Sequence, residues 1–422
     1  MFKDCYKLPE ITFTEDANDF VGLYVKNGEL KISVPKILKF SEDIKIKKKE
    51  IILFLNSINL AKTLDKSLLN NTDEILDISW PFDSYIWIIE DFLNNGLYFN
   101  REKHYVNANV GKIEWKKTLK NTPLISNGNL IYTNFTTSKI NPCDNYITSI
   151  YEYCLKVSSE RIGWLFNFSI PVEPYQTKSI TEMIYILKKE IGNTFDDVKR
   201  LRFKHMLKIL QNSTENLKSF KNYIFGTRNY YYVFEKMIDA FFCGLNGSKK
   251  EKFNPKGNWN LNGSLNVIPS SNLRPDTIIK YNNILYIIDS KMYKFGYTGN
   301  PQHLPDTTSM QKQITYGDYV ATKYPKHKIR NAFVLPFNKE LNVFFNGYFG
   351  YELVSLDTDN NLQYLGYAST EWRKDSDKKY YDYIYTFLID MNFLLCNYNK
   401  KNTIYTKLII EKIEYLATIH NS

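Results

Sequence analysis

The chain has 422 residues, 43% of them hydrophobic and 24% charged. That balance fits a folded globular protein of two or three domains. It excludes a mostly disordered chain, a collagen-like fibre and a small disulfide scaffold. Lys and Arg number 55 against 45 Asp and Glu, a net charge of +10, which favours polyanion partners such as nucleic acid without establishing one.

The longest apolar runs, such as Ile51–Leu55, fall far short of the roughly 20 residues of a membrane span. No basic segment followed by an apolar one opens the sequence, so neither a membrane association nor a secretory leader is expected. Five cysteines, odd in number and without a CxxC pair, suit a reduced, cytoplasmic thiol set.

In chain order, Phe20–Val25 and Glu29–Val34 flank Asn27-Gly28, the dipeptide best suited to a tight hairpin turn. A Lys-rich stretch follows, then an expected helix from about Ile51 to Leu60. Phe82, Tyr85, Ile86, Ile89, Phe92 and Leu93 recur at helical spacing, and Gly96 is placed as the C-cap. Residues 105–135 read as extended and irregular, 144–165 as helix, and Pro171–Gln176 as a break. Helical periodicity then covers 181–220, with Lys199, Arg200, Arg202, Lys204, His205 and Lys208 as a solvated face or a partner-facing stripe. Trp80 and Trp115 read as core anchors or as partner contacts.

The texture changes after Arg228. Tyr231–Phe242 predicts a strongly apolar helix. The Gly/Asn/Ser-rich residues 244–272 predict a loop or an irregular hairpin. Asp276–Tyr281 and Ile284–Asp289, joined at Asn282-Asn283, predict a second hairpin. A helix over 307–323, a strand over 330–336 and short strands within 341–368 follow. The segments 379–397 and 403–419 read as helices.

The chemistry centres on this second hairpin. Arg274-Pro275-Asp276 is followed, after twelve intervening residues, by Asp289-Ser290-Lys291. Metal-assisted phosphodiester hydrolysis needs carboxylates to hold a cation that activates water and neutralises phosphate charge. It also needs a cationic side chain near the developing charge. Antiparallel strands bring position 276 opposite position 289, and Asp289 and Lys291, two apart, face one side. The tripeptide alone is weak: it also occurs at Asp43-Ile44-Lys45 and Asp197-Val198-Lys199. Its context strengthens it, because the apolar run Leu285–Ile288 ends abruptly in three polar residues. The plainer alternative is an exposed strand end with Asp276 capping a turn.

Glu235, a charge in an apolar helix, is a candidate third carboxylate or else a surface Glu that pairs locally. Lys312, Gln313 and Tyr316 lie on the following helix, beside the metal or on a solvated face. No GxxxxGK[ST], HExxH or GxSxG occurs, which sets aside a P-loop NTPase, a zinc hydrolase of that class and a serine hydrolase.

On these residues the second half resembles a PD-(D/E)xK nuclease. The early hairpin, Pro81–Trp87 with Asn95–Tyr98, and Gly111-Lys112-Ile113-Glu114-Trp115 resemble the N-terminal half of LlaJI-type restriction endonuclease subunits, relatives of McrC. The resemblance implies a Mg²⁺-dependent endonuclease that cuts double-stranded DNA with a separate McrB-like AAA+ GTPase. In that reading Asp276 and Asp289 are metal ligands, Lys291 is the catalytic lysine, Glu235 is a further metal carboxylate and Gln313 is the helix glutamine. The Q-xxx-Y spacing of RecB-like relatives is not met: Gln313 to Tyr316 is one residue short, and Gln311 to Tyr316 one long.

The expected fold is α/β. An α+β partner-docking half covers residues 1–190, and a nuclease domain with a central mixed sheet flanked by helices covers 191–422. Two other readings stand beside it: a non-cleaving subunit that assembles with and stimulates a GTPase, and a stand-alone nuclease of repair or mobile-element type.

Overall fold

The computed structural model describes residues 8–15, 19–26, 29–60, 77–78, 81–99, 101–108, 110–142, 146–168, 179–215, 224–341, 351–373 and 379–420. The expected turn at Asn27-Gly28, the break at Pro171–Gln176 and Trp80 lie outside them. The fold is α/β. Its compact units do not divide at residue 190, which lies inside the helix Ile180–Asn193. One unit is drawn from residues between 79 and 220, the other from residues 9–78 and 221–422. No helix of the described residues is long and apolar enough to cross a membrane.

The first unit packs the helices Phe82–Asn95, Tyr146–Phe166, Ile180–Asn193 and Asp197–Glu215 on one another and also contains a three-stranded sheet. The expected single helix over 181–220 is two, because the backbone turns extended at Thr194. The basic stripe on the second of them is partly core. Arg202 is buried and grips the buried Asp91 through Nε to Oδ2 at 2.7 Å and Nη2 to Oδ1 at 2.8 Å. Tyr151 also donates to Asp91. Burial pushes the Asp91 carboxyl up, but these bonds outweigh it and hold the carboxyl below its ordinary range. His205 stacks on Trp87 and meets Ser84. Trp115 is more than half exposed, against the expectation of a core anchor, with Phe135 edge-on to it.

The second unit begins with a small sheet in the order Glu10–Thr14, Glu29–Pro35, Val21–Lys26, Ile224–Thr227, Asp77–Ile78. The first hairpin forms as expected, with Val21–Lys26 antiparallel to Glu29–Pro35. Gly22 and Gly226 face each other across the next pair. A Cβ at either would strike the other strand's backbone, so glycine permits the close approach that ties residues 9–78 to this unit. The helix expected from Ile51 begins at Ile44, because the Asp43 side chain caps it; Lys45 and Lys49 are exposed on its first turns, while Lys48 is buried.

The main sheet has six strands in the order Thr277–Tyr281, Ile284–Ser290, Lys328–Phe337, Ile384–Asp390, Leu362–Ala368, Val354–Ser355. Its interior pairings are parallel and its outer ones antiparallel. Ile284–Ser290 is paired on both sides and covered on both faces, which is why it reads as an unbroken apolar run. One face receives the helix Thr307–Lys323, whose Tyr316 and Val320 pack on Leu285, Ile287 and Ile329. On the other face Glu414 of the helix Thr403–Ile419 binds Arg330 at 3.0 Å and Tyr286 at 3.2 Å.

The expected helix over 379–397 is a correction. Ile384–Asp390 is a fully buried central strand, and the helix covers only Met391–Asn397. A short apolar run buried on both faces has no periodicity that distinguishes strand from helix.

Replacing Arg202 by Ala would leave the buried Asp91 carboxylate without a cation, held only by the neutral donors Tyr151 and Asn95, at a cost of about 3–5 kcal/mol. Denaturant unfolding of the full chain should show the helical unit losing stability by that order. Because the Asp91 carboxyl is held low, the wild-type contribution is present above the ordinary carboxylate range and is lost as acid protonates it. A variant as stable as wild type at neutral pH would contradict this.

Candidate active site

The hairpin delivers its acids as the strand geometry requires. Thr277 pairs with Ile288 and Tyr281 with Ile284, so Asp276 falls beside Asp289 one step beyond the last paired residues. The Ser290 amide, adjacent to Asp289, donates to Asp276 Oδ2 at 2.8 Å. Asp289 is fully buried. Its Oδ2 lies 2.7 Å from the Lys291 ammonium, and its Oδ1 is buried without a hydrogen-bond partner.

Two further bonds fix the turn that carries Asp276. Tyr316, buried on the following helix, donates its hydroxyl to the Arg274 carbonyl at 2.8 Å. Lys250 donates to the Asp276 carbonyl and pairs with Asp239 at 3.0 Å. Neither Lys250 nor Asp239 was marked by the sequence, since a lysine in a Gly/Asn-rich segment and an acid in an apolar helix each have plainer readings. Gln313 is fully buried, but it does not reach the acids. Its Nε2 donates to the Ile287 carbonyl at 2.8 Å and to Asn331 at 3.3 Å, which places it under the strand two residues ahead of Asp289. Lys312 extends over the Tyr316 ring, 5.7 Å from its centre.

The electrostatics bind these groups together. Burial, then the charges of Asp289 and Glu235, push the Asp276 carboxyl well above its ordinary range. Burial, then Asp289, raise Glu235 to about 7. Burial alone would lower the Lys291 ammonium. Asp289, Asp276 and Glu235 together overturn that and hold it protonated above its ordinary value.

Glu235, on the helix Tyr230–Phe241, thus belongs to the same charge field as the hairpin acids. Among the described residues no group of three His, Cys, Asp or Glu side chains is gathered closely enough to hold a metal ion as it stands. The donors available are carboxylate oxygens, one of them buried without a partner, and hard oxygens suit Mg²⁺ rather than a softer ion. The residues therefore fit a divalent cation held chiefly by Asp276 and Asp289.

Among curated proteins no sequence matches this chain. A chain in a solved assembly of Thermococcus gammatolerans McrB AAA+ hexamers with bound McrC is similar over 94% of this chain and 82% of its own length. It shares 12% identity at a TM-score of 0.37, a likeness too slight to assign a fold or a partner. The LlaJI restriction endonuclease family profile matches residues 20–359. That span takes in the first hairpin, Glu235, both hairpin acids, Lys291 and Gln313, and the chain belongs to the LlaJI restriction endonuclease family.

Proposed function

We propose that this chain is the cutting subunit of a GTP-dependent restriction system, a PD-(D/E)xK nuclease that hydrolyses phosphodiester bonds of double-stranded DNA with Mg²⁺. It would work beside a McrB-like AAA+ GTPase docked on the N-terminal half, as part of a defence against phage. The observation that carries the reading is the adjacent Asp276 and Asp289, the latter fully buried, with the Lys291 ammonium 2.7 Å from Asp289. Membership of a restriction endonuclease family supports it.

In this reading Asp276 and Asp289 hold the cation, and Glu235 adds a carboxylate to the same field. The bound ion supplies Lewis acidity and charge neutralisation at the scissile phosphate. Lys291, kept protonated by three acids, donates toward the attacking water or the phosphate oxygens and opposes the negative charge that grows there. Gln313 and Tyr316 act at one remove. Gln313 fixes the strand carrying Asp289, and Tyr316 fixes the turn carrying Asp276.

The chain, assayed with its GTPase partner and Mg²⁺ on plasmid DNA, should lose at least about 100-fold in cleavage on Asp289→Asn or Lys291→Ala, the scale of removing one charge-stabilising group. Circular dichroism and assembly should stay unchanged. Cleavage at the wild-type rate by either variant would reject the site. GTPase stimulation without metal-dependent cutting by any assembly would reject the nuclease reading in favour of an assembly subunit.

The pH dependence follows from Glu235. Its carboxyl ionises near 7 in the folded chain, against an ordinary value of 4.5. The folded state therefore holds a proton through that window that the unfolded chain releases. In metal-free solution the stabilisation is complete below the lower value and lost as pH rises through the higher one. The same ionisation favours cation binding. Mg²⁺ should thus raise the melting temperature more at pH 8 than at pH 6, and Glu235→Gln should shrink the difference. Equal shifts at both pH values in the wild type would contradict it.

A further inference from the structure

The segment between the Glu235 helix and the Asp276 strand carries a feature that the cleavage site does not use. Asn258–Asn260 and Val267–Pro269 form a two-stranded ribbon that pairs with no other strand among the described residues. Every residue of both strands is exposed. Yet among its Asn and Ser residues the ribbon displays large apolar side chains: Trp259 is 63% exposed, Leu265 fully so, and Leu261, Val267 and Ile268 are exposed beside them. An isolated hairpin is marginal in water, and apolar side chains displayed on one lose their burial energy unless a partner covers them.

Two observations say what that partner is. The first is charge. The ribbon itself, 257–270, is uncharged, but the residues flanking it within 248–275 contain Lys249, Lys252, Lys256 and Arg274, besides the Asp239-paired Lys250, against a single acid, Glu251. That composition complements a polyanion and opposes a basic protein surface. The second is continuity with the cleavage site. The ribbon's base is closed by Ser270 N to Gly257 O at 2.8 Å and Leu273 N to Pro255 O at 3.1 Å. The chain then runs through Arg274, held by Tyr316, to Asp276, held by Lys250. A polyanion at the acids is therefore a neighbour of the ribbon's base. From base to tip the ribbon extends roughly 20 Å at ordinary strand rise.

We propose that residues 257–270 form a DNA-contacting arm of the nuclease. Lys252 and Lys256 at its base would neutralise phosphates. Trp259 and the apolar tip would enter a groove and pack on sugars or an opened base step, as apolar wedges do. The inference rests on the nuclease reading and adds to it the element that holds the duplex against the acids.

The test is anisotropy of a fluorescein-labelled 30-base-pair duplex with the full chain in Ca²⁺, over a range of salt concentrations. Trp259→Ala should weaken binding about tenfold or more. Lys252→Ala with Lys256→Ala should reduce the slope of log affinity against log salt by about two. Because these side chains are exposed, the fold should survive, as circular dichroism would show.

Wild-type affinity and salt slope in both variants would overturn the arm while leaving the nuclease reading intact. So would variants that change only self-association or capture of the GTPase, since the ribbon would then be a protein interface. A wild-type chain that binds no duplex, alone or with its GTPase, would overturn the nuclease reading itself.

Discussion

Gathering acidic groups side by side is the constraint on which the Asp276–Asp289 hairpin depends. Asp289 is fully buried, Asp276 lies partly buried beside it, Glu235 adds its charge, and the Lys291 ammonium opposes them 2.7 Å from Asp289. Such an arrangement costs stability, since buried like charges raise one another's pKa and buried ion pairs seldom recover their desolvation. A fold that merely needed a sheet could end the Ile284–Ser290 strand in apolar residues. The cost becomes intelligible if a divalent cation and a phosphate are the groups the cluster is shaped to meet.

The surrounding bonds hold that cluster in place. Tyr316 and Lys250 come from different elements and fasten the carbonyls of Arg274 and Asp276, either side of Pro275. Gln313 and Asn331 bridge the sheet to the covering helix beneath Ile287. Each bond satisfies a buried polar group, and together they leave the hairpin acids little freedom to move apart. This rigidity is what a metal site needs, because a displacement of about an ångström at a catalytic group is costly. The six-stranded sheet supplies the platform: its parallel interior lets the strand Ile284–Ser290 be covered on both faces.

Much of this was legible in the residues. The two hairpins, the helix ending at Gly96 and the helix Thr307–Lys323 follow from local signals, turn dipeptides and apolar periodicity, which need no tertiary information. So does the adjacency of Asp276 and Asp289, since a tight turn fixes the register. The failures have one physical character. Ile384–Asp390 was read as helix because burial on both faces erases periodicity. The lysines ahead of Ile51 carry no apolar periodicity, so the helix start at the Asp43 cap does not show in the pattern. The close approach of Gly22 to Gly226 is a long-range backbone contact that no local signal announces. Lys250 and Asp239 escaped notice because their partners are distant in sequence. The reach of Gln313 to a backbone carbonyl rather than to the acids likewise depends on how the helix sits on the sheet.

The central claim is that the carboxyls of Asp276 and Asp289 share one divalent ion. Anomalous diffraction from crystals of the chain soaked in Mn²⁺ reads that directly. The account predicts an anomalous peak within coordination distance of both carboxylates, lost in Asp276→Asn crystals soaked in the same way. A peak elsewhere, or none between these two side chains in the wild type, would contradict it.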